Sequence, residues 1–223
     1  VEIDRINAPH RPIPSGRISP SEAYIYAVLL FTAGGLLSLA INIYAAVLAI
    51  FEILLLYLYA SNFKLSGVFG NMLVSFSVGA TVIYGSLISG DPGSLSKAMV
   101  FASAAMLANM AREIMKDMED VNGDRERGSR SLPIIYGMRF AAGISVIFLL
   151  MAVFISPLPV VLNFIRPLPY LPIVLISDII FIYICVSIYL HIDEVEVLAS
   201  RFQRMMKAGM LVALLAFVLS GIW

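Results

Sequence analysis

The stretch FAAGISVIFLLMAVFISPLPVV (residues 140–161) contains no charged side chain and indicates how the chain folds. A helix needs about 20 apolar residues to cross a hydrocarbon core that is ~30 Å thick. Polar and apolar residues do not alternate here as they do in a lipid-facing barrel strand. A helix also satisfies all its backbone hydrogen bonds within one segment, as a membrane interior requires. The stretch therefore predicts a transmembrane helix.

Six further apolar runs predict an all-α, polytopic transmembrane bundle with seven spans in this chain. The runs are Glu22–Ile41, Tyr44–Phe63, Met72–Ser89, Ala98–Met115, Pro169–Ile192 and Met206–Trp223. Only Asn42 and Ile43 separate the first two runs, so we expect those helices to form a tight hairpin. The sequence Gly90-Asp91-Pro92-Gly93 is typical of a turn and predicts the end of the third span.

The composition supports a membrane protein and argues against several other classes. Hydrophobic residues make up 60% of the chain and charged residues 13%, against roughly 45–50% and about 25% in soluble domains. Mean hydropathy is +0.92. The single cysteine, Cys185, excludes a disulfide framework, and no cysteine cluster is present to hold zinc. A net charge of zero argues against a nucleic-acid partner.

The positions of the basic residues predict which way the bundle faces. With seven spans, all 15 Lys and Arg residues except Lys97 and Arg166 fall on one side of the membrane. Basic loops stay in the cytoplasm. We therefore expect a multi-pass protein of the cell membrane with these charged loops in the cytoplasm.

The densest polar cluster is REIMKDMEDVNGD (residues 112–124). Asp117, Asp120 and Asp124 stand at i, i+3 and i+7, which places three carboxylates along one helical stripe with Glu113 one turn earlier. Carboxylates without His or Cys suit Mg²⁺, and Gly123 allows the helix to end or bend near Asp124. The alternative is a solvated helix end whose carboxylates pair with basic residues on the surface, namely Lys116, Arg125 and Arg127.

A second polar cluster, DRINAPHRPIPSGR (residues 4–17), is predicted to be a stiff loop on the same side. Asp4 beside Arg11 and Arg17, facing an acidic stripe, is what a magnesium–diphosphate site needs. The alternative is that these arginines hold lipid headgroups. Lys64 and Arg130, on the same side, are either phosphate ligands or ordinary surface residues at the membrane boundary.

Two carboxylic acids, Glu52 and Asp178, lie inside predicted spans. Such residues are costly in a membrane and are candidates for a function, for example in a transporter. They can equally be protonated or hydrogen-bonded between helices, and we favour this structural interpretation. The carboxylates at residues 117–124 cluster at one helix end and not at the midplane, which disfavours a transporter.

These two clusters resemble the signatures of the UbiA superfamily of intramembrane prenyltransferases. Asp4 matches the last aspartate of the first signature, and Asn7-Ala8-Pro9-His10-Arg11-Pro12 matches the loop that follows it. The second signature matches an aspartate-rich helix end followed by Gly-x-(Lys/Arg)-Ser, here Asp117, Asp120, Asp124, Gly128, Arg130 and Ser131. Family members have nine helices, so the resemblance implies a single transmembrane domain over residues 1–223 whose first two helices precede Val1.

The resemblance implies an active site at the cytoplasmic end of a central cavity. Mg²⁺ would be held by four aspartates, Asp4, Asp117, Asp120 and Asp124. The prenyl diphosphate would be bound by Asn7, Arg11, Arg17, Lys64, Lys116 and Arg130. The partners implied are a prenyl diphosphate, a lipid-like acceptor and membrane lipid.

The sequence of residues 112–120 and 131–134 is most similar to that of the archaeal ether-lipid branch of the superfamily. That branch transfers a geranylgeranyl group from its diphosphate to geranylgeranylglyceryl phosphate and so makes the second ether bond. Relatives with aromatic acceptors, such as 4-hydroxybenzoate or other quinone and haem precursors, share the aspartates and are the alternative.

Overall fold

The structure, a computed structural model, describes residues 12–63 and 65–221, and these residues contain helices, turns and no strand. The helices in chain order are α1 (Pro20–Ile41), α2 (Ile43–Leu58) continued by a π-helical turn (Tyr59–Phe63), α3 (Val68–Ser89), α4 (Pro92–Glu119), α5 (Val121–Glu126), α6 (Leu132–Tyr136), α7 (Met138–Ile155), α8 (Leu158–Val161), α9 (Pro167–Leu190), a 3₁₀ turn (Ile192–Glu194) and α10 (Val195–Gly221). The all-α prediction is confirmed.

Seven of these helices are long and overlap the seven predicted apolar runs. Six of them are long and apolar enough to cross a membrane by length and composition, namely α1, α2 with its π turn, α3, α7 with α8, α9, and α10 with its 3₁₀ turn. Helix α4 is not among them, because serine and other polar residues such as Lys97 and Asn109 lower its hydropathy. The count of seven spans is therefore not confirmed, although α4 is the longest helix described.

The first of two compact units ends at Leu54 and contains α1 and most of α2. Helix α1 begins with a capping box, in which Glu22 N–H donates to Ser19 Oγ (3.2 Å) and Ser19 N–H donates to Glu22 Oε2 (2.7 Å). A single non-helical residue, Asn42, connects α1 to α2, and its side chain accepts a hydrogen bond from Ala45 N–H (2.8 Å).

The tight hairpin expected of α1 and α2 does not form over their described residues. Buried side chains occur only near the connection, at Ser38, Ala45 and Ala46. Asn42 has an extended backbone (φ −167°, ψ 166°), which turns the chain without laying the second helix along the first. A short connection thus predicts only that the end of one helix is close to the start of the next. It does not predict that the two helices pack along their whole length.

The second unit begins at Leu55 and contains the packed part of the bundle. Its core lies where α4, α7, α9 and α10 meet. The residues with the least exposed surface there are Ala111, Ile114, Met115, Met118, Ala141, Ala142, Leu149, Ile184, Ile188, Ala199 and Met206. Small residues let helices in lipid approach closely, so that backbone and side-chain packing supply the stabilisation that the hydrophobic effect does not.

Serine side chains add hydrogen bonds between helices in this core. Ser145 Oγ of α7 donates to Ala111 O of α4 (2.9 Å), and Ser177 Oγ of α9 donates to Gly209 O of α10 (2.9 Å). Asp178 of α9 accepts from Ser156 Oγ, which follows α7 (2.7 Å). This contact agrees with the structural interpretation of Asp178. Glu52 lies in the first unit, and its buried Oε1 has no hydrogen-bond partner among the residues described.

The connection from the π turn to α3 lies directly against the loop before α6. Arg130 N–H donates to Leu65 O (3.1 Å). Gly67 has φ +60°, and a Cβ built on it would lie 2.0 Å from Arg130 O and 2.9 Å from Ser131 Cα. A glycine is required here because of both its backbone conformation and the close approach of the second chain segment.

We predict that Gly67→Ala destabilises the bundle by at least about 2 kcal/mol more than Gly128→Ala. Both glycines have positive φ, and alanine costs roughly 1–2 kcal/mol in that region. Only Gly67 faces another backbone, since nothing lies within 4 Å of a Cβ at Gly128. Unfolding of the two variants in the same detergent measures the difference, and equal stabilities would contradict the contact.

Candidate active site

The acidic stripe lies at the end of α4, where the helix bends and then continues as α5. Helix α4 ends at Glu119 because Asp120 leaves the helical region (φ −91°, ψ 5°). The backbone nonetheless keeps its i→i+4 pattern, with Asp120 N–H donating to Lys116 O and Asp124 N–H to Asp120 O (2.9 Å each). The bend is therefore at Asp120, and Gly123, at which we expected it, lies inside α5.

Asp117 is held by a hydrogen bond from the neighbouring helix. Asn71 Nδ2 of α3 donates to its Oδ2 (2.7 Å). The pKa of Asp117 is raised to about 7, mainly by burial and also by the charges of Asp124 and Glu113, while Asn71 and Lys116 oppose the rise. Ionised Asp117 is therefore costly, and a cation nearby would reduce that cost.

Glu113, one turn before Asp117, is already paired with cations. Its carboxylate contacts Arg112 Nη1 (2.5 Å) and Lys116 Nζ (3.7 Å). Only 9% of the Glu113 side chain is exposed, against 45% of that of Lys116. Lys116, a predicted diphosphate ligand, is consequently near the carboxylates and still accessible.

The loop from Asp124 to Arg130 folds back onto α5. Ser129 N–H donates to Asp124 O (3.0 Å), and Gly128 takes a left-handed conformation (φ +70°) that allows the reversal. Arg130 follows with an exposed side chain while its backbone is tied to Leu65. The second signature therefore has two parts in the structure. Its aspartates lie at the end of α4 and on α5, and Gly128, Arg130 and Ser131 lie in the loop that follows.

The remaining predicted site residues lie either outside the described residues or in the first unit. Asp4, Asn7, Arg11 and Lys64 lie outside the described residues. Arg17 is exposed in the first unit, where its Nε donates to Ser15 Oγ (3.2 Å). Their participation in the site stays a prediction.

The aspartates suit a divalent cation in donor type but do not form a complete site by themselves. No group of three or more His, Cys, Asp or Glu side chains within residues 12–63 and 65–221 is arranged to hold a metal ion. Asp117, Asp120 and Asp124 offer oxygen donors alone, as Mg²⁺ prefers. The cost of ionising Asp117 agrees with a cation whose remaining ligands come from substrate and from further residues.

Sequence reasoning missed the residues of α3 and the π turn that support the carboxylates. Asn71 contacts Asp117, and one turn further along α3 Ser75 Oγ accepts from Asn109 Nδ2 of α4 (3.2 Å). Polar residues four positions apart, which lie on one face of a helix, are visible in the sequence of both α3 and α4. Which helices pair is a tertiary fact that this spacing does not contain.

Tyr59 is a further residue that the sequence did not single out. It begins the π turn, and its ring lies 3.4 Å from the position of a Cβ on Gly70. Single π turns are frequent at functional sites because they redirect side chains, and this one places the Tyr59 ring against α3 at Gly70, the residue before Asn71.

An apolar cavity of about 480 Å³ lies further along the same helices within the second unit. It is lined by α3, α4, α7, α9 and α10, and mainly by alanine, valine, leucine and phenylalanine side chains. On α4 it extends from Ala108 to Phe101, which are nine and sixteen residues before Asp117. The α3–α4 interface therefore passes from carboxylates, through Asn109 and Ser75, to an apolar space.

We predict that Asp117→Asn removes a pH dependence of stability from the metal-free protein. The pKa of Asp117 is about 7 when folded and about 3.8 otherwise, so its stabilising effect is complete below pH ~4 and is lost as the pH rises through 7. One pKa unit corresponds to about 1.36 kcal/mol. Between pH 5 and pH 8, the free energy of unfolding of the variant should therefore rise by roughly 3 kcal/mol relative to that of wild type.

Unfolding in detergent with EDTA at both pH values measures this gain. Glu126→Gln, which removes an exposed carboxylate from α5, controls for the loss of one negative charge. Parallel pH profiles for wild type and Asp117→Asn would show that Asp117 is not the group concerned.

Comparisons with known proteins find relatives over almost the whole chain. The digeranylgeranylglyceryl phosphate synthase of Methanothermobacter thermautotrophicus is 36% identical over 216 residues, covering 97% of this chain and 75% of that protein. The enzyme of the same name from Methanosphaera stadtmanae is 36% identical over 222 residues, covering 99% and 79%.

Two solved structures share the fold. One, described as a digeranylgeranylglyceryl phosphate synthase in membranes, superposes with a TM-score of 0.81 at 35% identity, covering 99% of this chain and 77% of that one. The apo structure of a UbiA homologue from Aeropyrum pernix K1 superposes with a TM-score of 0.72 at 18% identity, covering 96% and 80%. Residues 1–220 match the UbiA prenyltransferase family, so the resemblance is confirmed and the chain belongs to that family of membrane enzymes.

Proposed function

We propose that this prenyltransferase moves a geranylgeranyl group from geranylgeranyl diphosphate to geranylgeranylglyceryl phosphate. The observation that carries the proposal is the change from carboxylates to an apolar cavity along the α3–α4 interface. A prenyl diphosphate has the same polarity, with a highly charged head on a hydrocarbon chain. The acceptor is suggested by the two archaeal relatives that are named digeranylgeranylglyceryl phosphate synthases.

The charged head is assigned to the end of α4 and the loops beside it. Asp117, Asp120 and Asp124, together with Asp4, are the proposed Mg²⁺ ligands. When bound, Mg²⁺ neutralises the diphosphate and makes it a better leaving group. The proposed contacts to the diphosphate oxygens are Asn7, Arg11, Arg17, Lys64, Lys116 and Arg130.

The chain's own residues orient the head and separate it from the tail. Asn71 fixes one oxygen of Asp117 and leaves the other for substrate or cation. Lys116 offers a positive charge next to the carboxylates, where charge builds up on the departing diphosphate. The allylic carbon–oxygen bond breaks, the glyceryl hydroxyl oxygen bonds to the same carbon, and that hydroxyl loses its proton.

The apolar surroundings protect the reaction from water. An allylic carbocation is captured by any nucleophile that reaches it, so a site that admits water would yield the free prenyl alcohol. The cavity is lined almost entirely by apolar atoms and lies inside a bundle whose outer surface is rich in exposed leucine, isoleucine and phenylalanine. We further propose that the charged loops face the cytoplasm, which the distribution of lysine and arginine supports.

We predict that Asp120→Ala and Asp124→Ala each reduce transfer by at least about 100-fold, a typical loss for one charge-stabilising group. Neither side chain is in the buried core, so both variants should remain folded in detergent. Glu126→Ala, which changes an acidic residue on the same helix as Asp124, is the matched control and should retain activity. Full activity of either aspartate variant would refute its role.

The decisive assay offers geranylgeranyl diphosphate and Mg²⁺ with either geranylgeranylglyceryl phosphate or 4-hydroxybenzoate. We expect a prenylated glyceryl phosphate and stoichiometric diphosphate release, with little product from the aromatic acceptor. Preferential prenylation of 4-hydroxybenzoate would assign the chain to the aromatic branch. Movement of substrate across vesicles without diphosphate release would indicate a transporter instead.

A further inference from the structure

Three aromatic rings line the end of the cavity that is remote from the aspartates. Phe101 of α4 contacts Phe217 of α10, with ring centroids 4.2 Å apart, and Tyr170 of α9, with centroids 6.0 Å apart and planes at 81°. All three residues line the cavity and lie near the helix ends opposite Asp117. We refer to Phe101, Tyr170 and Phe217 as the aromatic floor.

Hydrogen bonds fix the floor in place. Tyr170 is only 3% exposed, and its hydroxyl donates to Ser156 O (2.7 Å). Ser156 Oγ in turn donates to Asp178 Oδ2 (2.7 Å). Polar groups inside a helical bundle hold helices in register when each has a partner. The in-span carboxyl of Asp178 is therefore part of the support of the floor.

The distance from the aspartates to the floor can be compared with the length of a prenyl chain. Phe101 is sixteen residues before Asp117 on one continuous helix, which is about 24 Å at ~1.5 Å per residue. A geranylgeranyl chain has roughly sixteen main-chain bonds and spans about 19 Å when extended at ~1.2 Å per bond. About 5 Å then remains for the diphosphate head and its contacts.

We propose that the aromatic floor limits the donor to four isoprene units. This inference rests on the proposed function, because it places the diphosphate at Asp117 and the chain in the cavity. A fifth unit adds about 5 Å and meets the floor, whereas a chain of three units leaves apolar space unfilled beside the rings. The floor is thus a determinant of specificity that acts far from the reacting carbon.

The same geometry identifies a position at which the cavity can be shortened. Ala104 lines the cavity and is thirteen residues before Asp117, which is about 19.5 Å along the helix. A leucine there would occupy the space needed by the fourth isoprene unit and leave enough for three. Phe217, which is only partly buried, is the position at which the floor can be opened with the least risk to folding.

The test is a competition among farnesyl, geranylgeranyl and geranylfarnesyl diphosphates, with three, four and five units, at equal concentration in detergent with Mg²⁺. Wild type should use the chain of four units. We expect Phe217→Ala to raise the ratio of five-unit to four-unit product at least ten-fold. Ala104→Leu should raise the ratio of three-unit to four-unit product by a similar factor.

The control is Phe154→Ala, which removes an aromatic ring that is 78% exposed on α7 and does not line the cavity. It should leave both ratios within two-fold of wild type. If Phe217→Ala and Ala104→Leu also leave the ratios unchanged while wild type transfers four-unit chains, the floor does not set chain length, although the proposed function stands.

Binding gives a measurement that does not depend on transfer. The rise in melting temperature on adding each diphosphate with Mg²⁺ should be largest for four units in wild type, for five in Phe217→Ala and for three in Ala104→Leu. If wild type transfers nothing, the proposed function fails, and this binding profile still supports or overturns the role of the floor.

Discussion

The pairing of α3 with α4 is the interaction on which the rest of the second unit depends. At one end Asn71 bonds to Asp117, one turn further Ser75 bonds to Asn109, and beyond them Gly79 lies against the side chain of Met106. A polar group that loses its partner in an apolar environment costs several kcal/mol. The register of the two helices is therefore set by their polar pairs, and the small residues permit the close approach.

This register also orders the chemistry along the bundle. Because polar residues occupy the last turns of α4 and small apolar residues the turns before them, one helix can present charge at one end and an apolar wall at the other. An amphipathic substrate can then bind in a single orientation, since inverting it would place a diphosphate among Phe101 and its neighbours. The orientation is enforced by desolvation cost and needs no specific contact with the tail.

Much of the fold follows from hydropathy, whereas the details of the site depend on tertiary contacts. The helices were predictable because lipid demands long apolar runs, and the acidic stripe was visible from its spacing. The role of Asn71 was not predictable, since it depends on a hydrogen bond to Asp117, which is 46 residues away in the sequence. Gly67 was missed for the same reason. The bend at Asp120 was misplaced because Gly123 is tolerated within a helical turn, while Asp120 ends one.

The carboxylates that the helix end gathers are in an unfavourable electrostatic state without a cation. Burial and two neighbouring acids raise the pKa of Asp117 to about 7, so the protein holds a proton or a strained charge where substrate would bring Mg²⁺. Under the proposed function, this acidic site would bind a diphosphate only together with divalent cations, because the cations neutralise the charges of both. Selectivity for prenyl diphosphates over neutral isoprenoid lipids would then arise at the same residues that assist departure of the leaving group.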